Sequence, residues 1–322
     1  MAQLILSKSL SKRIDRSPVL RRIRWGIEAA TLGLFWQVCA WLPPDKASAF
    51  GRWLLGLIGP SLRKSRHIRR NLSFAFPELD EDQRKVLLQE VWGNTGAVLA
   101  EYPHLATFCQ GDYEARLEIV SHRDLRDYGT GRRQGVFVTA HAGNWELGAA
   151  PTVHFGVPLA VVYAPIKNPI IDRMLRRWRA GLGCDLIDRD DSLPRLIKTL
   201  NDGGSLGLVA DHRDDGGVPL PFFGLDKLTT VVPARLALRH GCDLVPTRVE
   251  RLGGTRFRVT FYDPIQPDPD LSSKKDQAIQ MMGEVNKVFE QWIRERPEQW
   301  LCTKRAWPKR IAPPDPMTKT EG

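Results

Sequence analysis

The chain has 322 residues, 42% hydrophobic and 26% charged, which excludes a disordered or low-complexity protein and suffices for one large domain or two modest ones. The net charge of +10 is uneven: residues 1–75 hold fourteen basic and three acidic side chains, and the rest of the chain sums to −1. An anionic surface, membrane or nucleic acid, is therefore expected at the N-terminal quarter. Cys39, Cys109, Cys184, Cys242 and Cys302 are far apart with no C-x-x-C, which argues against a disulfide scaffold or a structural zinc site and fits a reducing compartment.

Residues 1–24 read as a basic, poorly ordered arm. Residues 25–42 form an apolar stretch interrupted by Glu28 and Gln37 and closed by Pro43-Pro44. At about 1.5 Å per residue it reaches roughly 27 Å, just short of a hydrocarbon core of about 30 Å. It is a marginal membrane span or an interfacial helix, with a buried core helix as the bland alternative. Trp25, Trp36 and Trp41 towards its ends, and Arg21-Arg22-Ile23-Arg24 leading in, favour the membrane. A secretory signal would place its apolar run earlier and follow it with a cleavage site. A second apolar stretch covers 49–62 and a basic cluster follows at 63–70. We therefore expect a basic arm with membrane-associating helices over 1–75, a catalytic domain over 76–310 and a flexible tail over 311–322.

The segment 81–99 has a helical apolar face of Val86, Leu87, Val91, Val98 and Leu99. From Gly135 short apolar runs alternate with helical stretches. Residues 136–140, 159–163 and 205–210 read as strands, as do 184–187, 243–249 and 256–262. Leu193, Leu196, Ile197 and Leu200 mark one helix face, ended by Gly203-Gly204, and 275–294 reads as a long helix. The fold class expected is α/β: a layered domain with a central, largely parallel sheet flanked by helices, plus the N-terminal membrane-anchoring helical segment. In such sheets chemistry gathers at the carboxyl ends of the strands.

His141 directly follows the strand that ends at Ala140. Gly143-Asn144 supplies a turn and a cap, and a helix can begin near Trp145 with Glu146 in its first turn. There the two side chains can converge. Glu146 would accept the N–H of one ring nitrogen, leaving the other to take a proton from a substrate hydroxyl. Arg179 and Arg189, on either side of the 184–187 strand, are candidates to bind a phosphate. Asp211 ends a strand and could orient those arginines or the acceptor. A metal held by Asp211, His212, Asp214 and Asp215 is not expected, because no second ligand cluster is apparent.

The local sequence HAGNWELGA does not stand alone. Arg69-Arg70-Asn71-Leu72, Phe76-Pro77-Glu78, Glu101, Tyr163-x-Pro165, Asn168-Pro169, Arg179, Asp188-Arg189, Asp211-His212, Pro221-Phe222-Phe223-Gly224 and Pro297-Glu298-Gln299-Trp300 follow in order. This series resembles the bacterial lipid A biosynthesis (lauroyl/myristoyl) acyltransferases of the lysophospholipid acyltransferase superfamily, over about residues 25–308. The resemblance implies a glycerolipid acyltransferase-like fold and an O-acyltransferase of the H-x-x-x-x-E type, with His141 and Glu146 catalytic. It implies substrate contacts from Asn144, Arg179, Arg189 and Asp211, with Phe222 and Phe223 lining an acyl groove. No metal or cofactor is implied. The donor would be acyl carrier protein or acyl-CoA and the acceptor a lipid A precursor. The enzyme would sit on phospholipids of the bacterial inner membrane, its catalytic domain facing the cytoplasm, with no nucleic acid partner. Family members usually carry arginine where Ala164 stands, which leaves another lysolipid or glycolipid open as acceptor. A thioester hydrolase and a non-catalytic membrane scaffold are the readings from other classes.

Overall fold

The computed structural model describes residues 16–111, 113–309 and 311. Residues 1–15 of the expected arm and 312–322 of the expected tail lie outside them. Helix α1 (Pro18–Trp41) starts inside the segment expected to be a loose arm. Ser17 and Pro18 form a start signal that the density of positive charge obscures: the Ser17 side chain accepts from the Leu20 amide, and proline suits the first helical turn. No helix among the described residues is long and apolar enough to cross a membrane. That outcome speaks against a span, one of the expectations for residues 25–42. Ala29, Trp36 and Cys39 face the protein, and Leu20, Ile23, Ile27 and Leu34 are exposed at helical spacing.

Helix α2 (Pro44–Ile58) lies against α4 (Glu81–Glu101), with α3 (Ser65–Ala75) beside them. The α2–α4 backbones touch at Gly51 and Gly96, where a Cβ on either would run into the other's carbonyl oxygen. Asp80 and Gln83 form a capping box at the start of α4. The helix runs past the expected end at 99 because it is buried on nearly all sides from Val91 onward, not on one face.

The sheet then assembles from β1 (Leu117–Ser121), β2 (Gly135–Thr139), α5 (Ala149–His154), β3 (Leu159–Tyr163), α6 (Pro169–Arg179), β4 (Asp185–Asp188), α7 (Ser192–Asn201) and β5 (Ser205–Val209). After these come a hairpin of β6 (Val218–Phe222) and β7 (Leu225–Thr229), α8 (Val232–His240), β8 (Asp243–Gly253), β9 (Arg256–Phe261) and α9 (Lys274–Glu295). Strand order is β1-β9-β8-β2-β5-β3-β4, parallel throughout except for the β8–β9 pair. The mostly parallel, helix-flanked sheet is the one expected. Alternation along β2 separates two cores: Val136 and Val138 pack with α8 and α9, while Phe137 faces a second cluster with Leu147, Val245 and Phe261.

Candidate active site

Strands β2 and β5 are parallel neighbours in which Thr139 pairs with Val209 and the Ala210 amide donates to the Thr139 carbonyl. Two residues beyond that pair, on the carboxyl edge of the sheet, stand His141 and Asp211. The strand register thus sets side by side two residues 70 positions apart. His141 Nδ1 and Asp211 Oδ1 are 2.6 Å apart. The second Asp211 oxygen accepts from Trp300 Nε1 at 3.1 Å, and its backbone carbonyl accepts from Lys227 Nζ at 3.0 Å. Burial alone would raise the Asp211 pKa. Its interactions with His141, His212 and Lys227, the hydrogen bond from His141 among them, outweigh burial and hold the carboxyl far below the usual carboxylate range. Asp211 is therefore an ionised, buried acceptor that fixes the proton on Nδ1 and leaves Nε2 for a substrate.

The turn that carries His141 is clamped by the chain after α9. The Leu301 amide donates to the His141 carbonyl at 2.8 Å and the Gly143 amide to the Gln299 carbonyl at 3.1 Å. Gly143 has φ +58 and lies so close to β8 that a Cβ would strike the Val249 carbonyl, so glycine is required there.

Glu146 is not the ring's partner. It lies in the short 3-10 turn Trp145–Gly148, buried, and engages Arg179 at the end of α6. Arg179 Nε donates to Glu146 Oε2 at 2.9 Å and its Nη2 to Oε1, while the Tyr102 hydroxyl donates to Oε1 at 2.7 Å. Burial would raise the Glu146 pKa, but Arg179, Tyr102 and the nearby His141 hold it below the usual range. The carboxylate expected to orient His141 thus anchors an arginine at the same cavity, and the orienting role passes to Asp211.

His141, Glu146, Arg179, Arg189, His212 and Lys304 line a cavity of about 660 Å³. Val161, Leu182, Leu186, Leu196 and Leu208 give it an apolar wall. His212 stacks on His141 with centroids 3.9 Å apart, and its buried Nε2 has no partner. Burial, then the stacked His141 ring, holds the His212 pKa well below the ordinary histidine range. His141, Asp211 and His212 bring one donor atom each within 4.8 Å of one another. Both Asp211 oxygens are already hydrogen-bonded, which suits an acid–base pair of His141 and Asp211.

Three expected site residues lie elsewhere. Asn144 is buried behind the turn, where its Nδ2 donates to Glu101 Oε2 at 2.8 Å beside the buried Glu101–Arg251 ion pair. Phe222 and Phe223 close the β6–β7 hairpin and pack on Phe76, Trp300 and Trp307, away from the cavity, because the hairpin folds onto the α9 side. Arg189 does line the cavity, but its guanidinium pairs with Asp190 and is exposed. Three further residues join the site: Tyr102, Trp300 as a donor to Asp211, and Lys304. None of these has a local signal, since each acts on a group more than forty residues away. Gly203-Gly204-Ser205-Leu206-Gly207 has the spacing of a nucleophile elbow, yet Ser205 begins β5 at the amino end of the sheet, buried and accepting from the Gly135 amide.

A family model for bacterial lipid A biosynthesis acyltransferases matches residues 16–309. The lipid A biosynthesis lauroyltransferase of Escherichia coli K12 is 30% identical over 255 residues, covering 77% of this chain and 80% of that one. A lipid A biosynthesis acyltransferase of Haemophilus influenzae is 25% identical over 75% of this chain and 76% of its own. The lipid A biosynthesis palmitoleoyltransferase of E. coli K12 is 23% identical over 87% of this chain and 90% of its own. With nearly every described residue inside the match, the chain belongs to the bacterial lipid A biosynthesis acyltransferase family.

Proposed function

We propose that this protein transfers a fatty acyl chain from a thioester, on acyl carrier protein or coenzyme A, to a hydroxyl of a lipid A precursor. The observation that carries the reading is the His141–Asp211 pair at the end of a cavity with one cationic and one apolar wall. His141 Nε2 takes the acceptor hydroxyl proton, and Asp211 stabilises the imidazolium. The oxygen attacks the thioester carbonyl, the new C–O bond forms, and collapse breaks the C–S bond. The departing thiolate takes the proton back from His141. Arg179, fixed by Glu146 and Tyr102, offers positive charge to the oxyanion or to a phosphate. The apolar wall suits the acyl chain.

The enzyme works at the surface of the bacterial inner membrane, held there by the exposed apolar face of α1, with the cavity on the cytoplasmic side where thioester donors are made. Ala164 lines the cavity, so its departure from the family pattern bears on the acceptor. Incubation with acyl-carrier-protein thioester and total bacterial lipid, read by mass spectrometry, tests the function and identifies the acceptor. One lipid gaining the mass of one acyl chain is expected, with the product lowered about 10²–10⁴-fold by His141→Ala. A folded wild-type protein that shifts no lipid, or a His141→Ala protein with near-full turnover, would overturn the reading.

A further inference from the structure

A second cavity, of about 900 Å³, lies between α3, the start of α4 and the segment after Trp300. Its lining holds seven cationic side chains against one carboxylate. Arg66 and Arg69 come from α3, Arg84 and Lys85 from α4, and Arg305 and Lys309 from the C-terminal segment. The carboxylate, Glu81, is 3.7 Å from Lys85, which also holds Asp82 at 2.9 Å. Arg66, Arg84, Arg305 and Lys309 have no carboxylate partner among the described residues. The seventh cation, Arg70, fixes the shape of the groove. Its Nη2 donates to the carbonyls of Pro308, Lys309 and Ile311 at 2.9, 3.0 and 2.6 Å, tying the C-terminal segment to α3. A pre-shaped concave surface with so much uncompensated charge repels itself and attracts an anionic partner.

Two observations choose the class of partner. No apolar side chain lines this groove, whereas the exposed apolar residues cluster on α1 and on α2, at Trp53, Leu57 and Ile58. A concavity lined by charged and polar side chains suits an acidic protein surface and not insertion into a bilayer, and it is far larger than one phosphate. Position is the second. Lys304 lines the reaction cavity and the next residue, Arg305, lines the groove, so a single residue step separates the two.

We propose that this groove docks an acidic acyl carrier protein, whose thioester-bearing arm then passes the Lys304–Arg305 wall into the cavity of His141. The delivery step rests on the acyl-transfer reading; the docking does not. The test uses the full-length protein and Arg66→Glu/Arg84→Glu, residues on the rim of the groove. Binding of unacylated carrier protein is measured by calorimetry, and kcat/KM is measured with one acyl chain carried on carrier protein or on coenzyme A. Charge reversal at two rim positions is expected to weaken carrier binding about tenfold or more, with a steep salt dependence, and to lower kcat/KM for the carrier-bound donor about tenfold relative to the coenzyme A donor. Should the reversed variant fold poorly, Arg66→Gln/Arg84→Gln is expected to show a smaller loss in the same direction. Unchanged carrier affinity would overturn the proposal. So would an undiminished carrier interaction accompanied by lost binding to phosphatidylglycerol vesicles, which would assign the groove to the bilayer. Carrier binding that is lost in the variant, from a wild type that transfers acyl from neither donor, would leave the docking site standing and remove the acyl-transfer reading.

Discussion

At Asp211 a single buried carboxylate meets a histidine, an indole and, through its carbonyl, a lysine. Such a group is anionic in the folded state over the whole working range of pH, and so is Glu146. Both have folded pKa values below their ordinary 3.8 and 4.5, so the stability they contribute is present above those values and lost as pH falls through the lower folded ones. His212 and His104 are depressed below 6.5, so the unfolded chain binds more protons than the folded one just under that pH, and stability begins to fall there. Melting temperature should therefore decline gently from about pH 6.5 and steeply below about 4.5, and His212→Asn should flatten the upper limb. The Glu146–Arg179 pair is also nearly excluded from water, at 7% and 15% exposure. Glu146→Gln leaves a buried guanidinium without its carboxylate and should cost about 3–5 kcal/mol in urea unfolding, with Glu146→Leu/Arg179→Met recovering much of it. H-x-x-x-x-E made His141 and Glu146 legible as site residues. Their actual partners were not legible, because each pairing depends on strand register or helix placement and not on local spacing.

Elements read from continuous apolar runs, such as β2, β3 and β5, stand where the pattern placed them, since a strand buried on both faces needs such a run. Those missed have physical reasons. β1 is a short edge strand that carries Glu118, and β6 contains Pro219 and Pro221, which a two-stranded hairpin tolerates and a central strand would not. The basic character of residues 18–24 hid the first turns of α1. Packing of α2 on α4 was invisible because its determinant is the absence of side chains at Gly51 and Gly96. Gly51→Ala should destabilise the protein by about 1–3 kcal/mol, measured by denaturant midpoint, by pushing the two backbones apart.

For the molecule as a whole, the basic groove and the exposed apolar surface occupy different places. Leu20, Ile23, Ile27 and Leu34 on α1, with Trp53 and Leu57 on α2, are apolar and more than half exposed. The cations of the second cavity lie on α3, α4 and the C-terminal segment. If the apolar stripe holds the protein at a bilayer, high salt should leave it floating with phosphatidylglycerol vesicles, detergent should release it, and Ile23→Glu/Ile27→Glu should shift it to the soluble fraction. Release by salt alone would mean that charge, and not the stripe, makes the contact. The same whole-chain layout brings β2, β5 and the segment after α9 together at one sheet edge, and the proposed mechanism has His141 and Asp211 act there as one unit. The most direct measurement is kcat for acyl transfer by wild type, His141→Ala, Asp211→Asn and the double variant, all shown to be folded. Each single change should lower kcat by about 10²–10⁴-fold, and the double variant should be no worse than the worse single one. An Asp211→Asn enzyme within about twofold of wild type, or losses that multiply in the double variant, would contradict a histidine base oriented by Asp211.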